Sequence, residues 1–229
     1  MILEVIFILI ISTVAIVATV SRRSGVIGGL ITSLSSAPAS QDATLDTLLD
    51  TAGRYYAEKN YLSSEKAYLR VLKIDHKNSL AYSRLGFVYS HLGKNEDAIE
   101  CFKIVADTYP NAASYHNLSM MYFKTREFKL SAESLEKSLA MEMHVNRLVS
   151  LARIYRIMDK FGLQLLALKK AHSLDPANTE IMQLLAEAFI HEKDEKSAKI
   201  MFRRIQKIDP NNHRAKIALQ PASQLKKVR

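Results

Sequence analysis

Five aromatic residues, Tyr55, Tyr89, Tyr122, Tyr155 and Phe189, stand 33 or 34 residues apart and set the frame for most of the chain. A fixed period of this length means a fold assembled from small units, each burying a face against the next. Counted from Leu45, five units tile without gaps as residues 45–78, 79–111, 112–144, 145–178 and 179–212. The eighth residue of each is small (Ala52, Gly86, Ser119, Ala152, Ala186) and the eleventh is the aromatic. The twenty-fourth is large: Tyr68, Phe102, Leu135, Leu168 and Phe202. Pro110, Pro176 and Pro210 share one slot near the ends of their units.

The unit Ser79–Asn111 shows what the pattern asks for. It reads as two amphipathic helices joined by a turn over residues 91–94 and closed by Tyr109-Pro110. Helices this short are marginal alone, so each pair needs neighbours to cover its apolar face. A small eighth residue lets the paired helices approach closely, and the large residue at twenty-four brings the second helix onto them. Proline after the second helix stops it and lets the next unit restart. Residues 213–220 begin another first helix, expected to cap the open face of the fifth unit before Pro221 ends it. The rest of 213–229 is a basic tail.

Charge narrows the possible partners. Of the net +9, residues 213–229 carry +5 and residues 1–44 sum to zero, leaving +4 on residues 45–212. A body so mildly basic does not advertise a nucleic-acid face, and no nucleic-acid partner is expected. The single cysteine, Cys101, excludes an intramolecular disulfide framework and a multi-cysteine metal cluster; on a second helix it reads as a small buried hydrophobe. No glycine-rich phosphate loop, G-x-S-x-G or H-E-x-x-H is present, and the seven histidines are scattered. No catalytic residue, cofactor or metal ligand is assigned.

The N-terminal stretch is of another kind. Met1–Val20 holds one charge, Glu4, and from Val5 onward its polar residues are Ser12, Thr13 and Thr19. That is just enough apolar length to span a bilayer. Arg22 and Arg23 follow directly and nothing basic precedes. Residues 1–21 therefore read as an uncleaved single-pass anchor, with the N-terminus outside and the repeats cytoplasmic. Residues 22–44, rich in Gly, Ser and Ala, read as a linker.

The L-G…Y…A…F…P spacing carried by Leu85, Gly86, Tyr89, Ala98, Phe102 and Pro110 resembles that of the tetratricopeptide repeat (TPR) family. The resemblance covers residues 45–212. It departs at His76 and Met143, which replace the terminal proline, at Thr51, and at Gln164 in a slot that usually wants alanine. It implies an all-α solenoid of about five helical hairpins plus a short capping helix, preceded here by the N-terminal transmembrane helix. It also implies a concave groove lined by first-helix positions two, five, nine and twelve. On this sequence Leu80, Phe87, His116, Met120, Phe123, Arg153 and Arg156 fall in such slots, and Arg84 lies beside one. Phe87, Met120 and Phe123 would form an apolar patch flanked by the positive charge of Arg153 and Arg156, a combination suited to peptide recognition. The carboxylate-clamp set of chaperone-binding members is absent: of Ser83, Phe87, Asn117, Asn146 and Ser150 in its slots, Asn117 alone agrees.

The resulting expectation is a non-enzymatic, membrane-tethered TPR adaptor that holds a protein or peptide at the cytoplasmic face of a membrane. The architecture is similar to bacterial inner-membrane assembly factors with an anchor before the repeats. Alternatives are an import or assembly receptor on an organelle outer membrane, or a regulatory subunit of a membrane enzyme complex. Oligomeric state is not read from the sequence.

Overall fold

The computed structural model describes residues 44–220. The expected anchor over residues 1–21, the linker before Thr44 and the tail from residue 221 lie outside the described residues.

The described residues form eleven helices and no strand. They run as α1 (Leu45–Ala57), α2 (Tyr61–Ile74), α3 (Ser79–His91), α4 (Asn95–Thr108), α5 (Ala112–Lys124) and α6 (Phe128–Met141). Then come α7 (Val145–Ile157), α8 (Phe161–Leu174), α9 (Thr179–His191), α10 (Glu195–Ile208) and the short α11 (His213–Leu219). They group into two compact units, α1–α4 before Asn111 and α5–α11 from Asn111 onward. Within each unit every helix packs on its chain neighbours. This is the all-α arrangement of helix pairs closed by a short last helix that the repeat pattern predicts.

Each first helix starts on a side-chain cap. Thr44, Asn78, Asn111, Asn178 and Asn212 each accept from a backbone N–H of the first turn, and His144 does so in the fourth pair. Such a cap satisfies one of the donors that a helix start leaves open. Each first helix also stops in the same way. The carbonyls of Tyr55, Tyr89, Tyr122, Tyr155 and Phe189 accept the N–H five residues on, at 2.8–2.9 Å. The residue just before that donor is left-handed each time: Lys59, Gly93, Arg126, Asp159 and Lys193. This is the Schellman geometry, for which glycine is the unstrained residue. Here glycine fills the slot in the second pair alone.

The two helices of a pair meet at the small eighth residue. In the second pair an added Cβ at Gly86 would lie 2.8–3.0 Å from the ring of Phe102, which is itself buried. The first and third pairs add polar locks. Ser64 Oγ donates to the Ala52 carbonyl at 2.9 Å, and Ser131 Oγ to the Ser119 carbonyl at 2.8 Å, all four residues being buried. Between pairs, His91 of α3 stacks on Tyr61 of α2 with centroids 4.6 Å apart, its Nε2 lying 3.1 Å from the Tyr56 hydroxyl. His191 of α9 stacks likewise on Phe161 of α8, at 3.6 Å. Around these contacts the core fills with apolar side chains, Leu85, Val88, Tyr89 and Phe102 in the first unit and Leu168, Ile181, Leu185 and Ile205 in the second. Cys101 is buried and its thiol pKa is pushed well up by that burial.

Candidate functional site

The first helices carry the residues picked out for binding, and the structure sorts them into two groups. In the first unit Leu80 and Arg84 of α3 face Leu49, Asp50 and Tyr56 of α1 across a cavity of about 460 Å³, with Tyr68 of α2 at its floor. Gly53 also lines it, and a Cβ there would meet the Tyr68 hydroxyl at 3.9 Å, an ordinary van der Waals contact. Burial raises the hydroxyl pKa of both Tyr56 and Tyr68, and the Arg84 guanidinium opposes the shift at each. Phe87 is not part of this cavity. It is half-buried and sets its ring edge-on against Phe102, centroids 5.0 Å apart. There it backs the ring that fills the space left by Gly86.

In the second unit His116, Met120 and Phe123 of α5 and Ser150 and Arg153 of α7 surround a cavity of about 220 Å³ floored by Leu135 of α6. Met120 is 53% and Phe123 43% exposed, and both line this cavity, so they form one apolar patch rather than scattered surface residues. Phe123 is braced edge-on by Phe128 at 5.6 Å. His116 has a buried Nδ1 with no hydrogen-bond partner. Burial, reinforced by the charges of Arg147 and His144, holds its pKa below the ordinary 6.5, so the ring is neutral at pH 7.

The expected positive flank is not free. Arg153 Nη2 lies 2.7 Å from Glu180 Oε1, and Arg156 Nη1 lies 4.0 Å from Glu187 Oε2. Arg214 of α11 also reaches Glu187, at 2.8 Å. Both arginines thus face acids of α9, and the rim carries charge of both signs. The pairs are largely exposed, so each is worth little to stability and can be opened by a ligand. Arg156 stands outside the cavity itself. The two glutamates occupy slots two and nine of the fifth unit, so extending the groove positions by one more repeat would have found them.

Among the described residues no cluster of three or more His, Cys, Asp or Glu is arranged to hold a metal. Nor is any described helix long and apolar enough to cross a membrane.

Comparison with known proteins decides the family. Three models, each described as tetratricopeptide repeat, match residues 67–100, 111–147 and 165–220. The chain carries tetratricopeptide repeats. Among solved TPR-like folds, MamA is 21% identical with a TM-score of 0.66, covering 77% of this chain and 98% of that one. YrrB, described as a TPR protein with an unusual peptide-binding site, is 15% identical with a TM-score of 0.64, covering 76% of this chain and 91% of its own. At such identity the likeness is one of fold. Of the curated relatives, the anaphase-promoting complex subunit CDC16 of Saccharomyces cerevisiae is 26% identical over 156 residues. The inactive peptidyl-prolyl cis-trans isomerase shutdown of Bombyx mori is 24% identical over 160. The match takes in 58% and 69% of this TPR chain but 19% and 34% of those longer proteins.

Proposed function

We propose that this TPR chain is a non-enzymatic adaptor that seats a peptide segment of a protein partner on the first-helix face of its second unit, and that residues 1–21 tether it to a membrane. The observation that carries the binding reading is the half-exposed pair Met120 and Phe123 beside a cavity of about 220 Å³, rimmed by the Arg153–Glu180 pair. A cavity of this size suits one large apolar side chain, whose burial contributes about 1.5–3 kcal/mol. The rim adds a donor and an acceptor for the flanking peptide. The peptide-binding site named for YrrB makes such a use of the fold a natural one.

Met120→Ser with Phe123→Ser removes the apolar lining that would receive such a side chain, and leaves every fully buried core residue in place. In-cell crosslinking of the intact chain should then recover the partner at least about tenfold less well, the loss expected for one apolar anchor, with helicity unchanged. Undiminished capture would move the site elsewhere. The tether has its own test. The intact chain should stay with membranes through an alkaline carbonate wash, whereas a chain lacking residues 1–23 should be released. Release of the intact chain would refute the anchor.

A further inference from the structure

The formal charge of the repeats is not shared evenly among helices. In the second unit, the second helices α6, α8 and α10 together carry nine lysines and arginines against three acids, and all nine cations are exposed. Among the described residues one of the nine, Lys199, has a carboxylate partner, Glu195 at 3.5 Å. The first helices of the same unit behave differently: Arg147, Arg153 and Arg156 each face a glutamate. In the first unit, α2 and α4 carry four cations against five acids. The basic surplus therefore belongs to one face of one unit.

That face also exposes large aliphatic side chains. α8 presents Leu163, Leu166 and Leu174, with Leu166 64% exposed, and has no acidic residue. Lys169 and Lys170 lie on the same exposed side. Leu163 and Leu166 form one wall of a cleft of about 270 Å³; Leu139 and Ala140 of α6 line the other, and Leu151 of α7 lies between them. Further along, α10 exposes Ile200 and Ile208 among Arg203 and Lys207. This cleft shares no residue with the cavity around Met120. Lys137 lies over the Tyr115 ring, Lys169 over the Phe189 ring and Arg204 Nη1 3.3 Å from His172 Nε2, none of which neutralises the positive charge.

Exposed aliphatics interleaved with uncompensated lysines and arginines are the chemistry of an interfacial membrane surface. The cations meet anionic headgroups and the apolar groups enter the acyl boundary. We propose that the second-helix face of the second unit, α6, α8 and α10, docks on an anionic lipid bilayer. The other polyanion such a face could meet is nucleic acid. The side chains argue against it, because the protruding groups are aliphatic, whereas the ring of Phe161 is covered by His191 and Phe202 is buried. Single-strand binders present stacking aromatics, and this face exposes none. The proposal does not depend on the anchor or on the peptide reading.

The test places an environment-sensitive fluorophore on Leu166→Cys in the intact chain, since buried Cys101 will not compete for the label. Ile208→Cys serves as a second site and Met120→Cys as the control. The chain is combined with phosphatidylcholine vesicles, with or without phosphatidylglycerol, containing brominated acyl chains as quenchers. The labels at 166 and 208 should shift to the blue and be quenched in the anionic vesicles alone. High salt should reverse the effect. Lys169→Glu with Lys170→Glu, Arg203→Glu and Lys207→Glu should abolish it, helicity being retained. The label at 120 should stay in water throughout. Because the signal is read at α8 and α10, it does not report whether residues 1–21 insert. Labels at 166 and 208 that remain in water on anionic vesicles would overturn the proposal, as would equal quenching at 120. Retardation of duplex DNA or RNA by the same cations, with no vesicle signal, would overturn it in favour of a nucleic-acid face.

Discussion

Gly86 and Phe102 allow a prediction in which the sign of one substitution is set by its neighbour. Gly86 lies in the middle of α3, where alanine is the better helix former by about 1 kcal/mol. Its added Cβ, however, would stand 2.8 Å from Cζ and 3.0 Å from both Cε atoms of Phe102. That ring is 1% exposed and has Phe87 against it, so it has nowhere to go. Overpacking of this kind costs about 1–3 kcal/mol, and Gly86→Ala is expected to destabilise the first unit by roughly 0–2 kcal/mol after the helix gain is subtracted. Phe102→Leu keeps the side chain as far as Cδ and removes the three atoms that clash. In that background Gly86→Ala should stabilise by about 1 kcal/mol, with a coupling between the sites of about 1–3 kcal/mol. Hydrogen exchange of the intact chain reads this locally through the amides of α3 and α4, with the second unit as internal reference. If Gly86→Ala has the same sign and size with phenylalanine and with leucine at 102, the steric account is refuted.

Two further expectations follow from the turns and from the histidines. At the left-handed positions, Lys59→Gly and Lys193→Gly should each raise stability by about 0.5–1 kcal/mol, and Gly93→Ala should lower it by about 1 kcal/mol. No side chain lies within 4 Å of the Cβ site at Gly93, so its penalty would be conformational alone; opposite signs in a urea titration would dispose of the argument. His116 and His172 are both held below the ordinary 6.5, first by burial and then by neighbouring arginines. The unfolded chain therefore binds more protons than the folded one between the lowered values and 6.5. Stability of the second unit should rise with pH across that window and be lost on acidification below 6.5. His116→Asn with His172→Asn should flatten the dependence of its hydrogen exchange on pH between 5 and 7; an unchanged slope would assign the effect to other groups.

Much of the fold was legible because it rests on size at fixed slots. Small at eight, aromatic at eleven and large at twenty-four describe contacts inside one pair, and Gly86 against Phe102 shows the contact directly. The turns were harder to read. Lys59, Arg126, Asp159 and Lys193 adopt a conformation that composition assigns to glycine, because the two hydrogen bonds of the motif hold the backbone there. The candidate site was legible in part. His116, Met120, Phe123 and Arg153 do surround one cavity, whereas Phe87 is drawn into packing by the space beside Gly86. Arg153 and Arg156 read as free charge because their partners lie a whole repeat away, at Glu180 and Glu187. The basic face was hidden by averaging, since a mild excess over residues 45–212 conceals near balance in α2 and α4 and a strong surplus in α6, α8 and α10.

The buried hydroxyls of Ser64 and Ser131 bear on how a helix finds its axial position. A purely greasy contact between two helices changes little when one slides along the other, because one methyl replaces another. A hydroxyl that must meet one particular carbonyl does not tolerate the slide. Moving α2 past Ala52, or α6 past Ser119, would strand a buried donor at a cost of about 1–3 kcal/mol. The second pair has Ala98 at the same slot and no hydroxyl to place, and there the fit of a phenyl ring over a bare Cα sets the alignment instead. Neighbouring pairs of nearly identical outline thus fix their alignment by different chemistry, so an exchange of second helices between them would satisfy neither. In a chain built from near-copies of one motif, that difference helps each copy recognise its own partner.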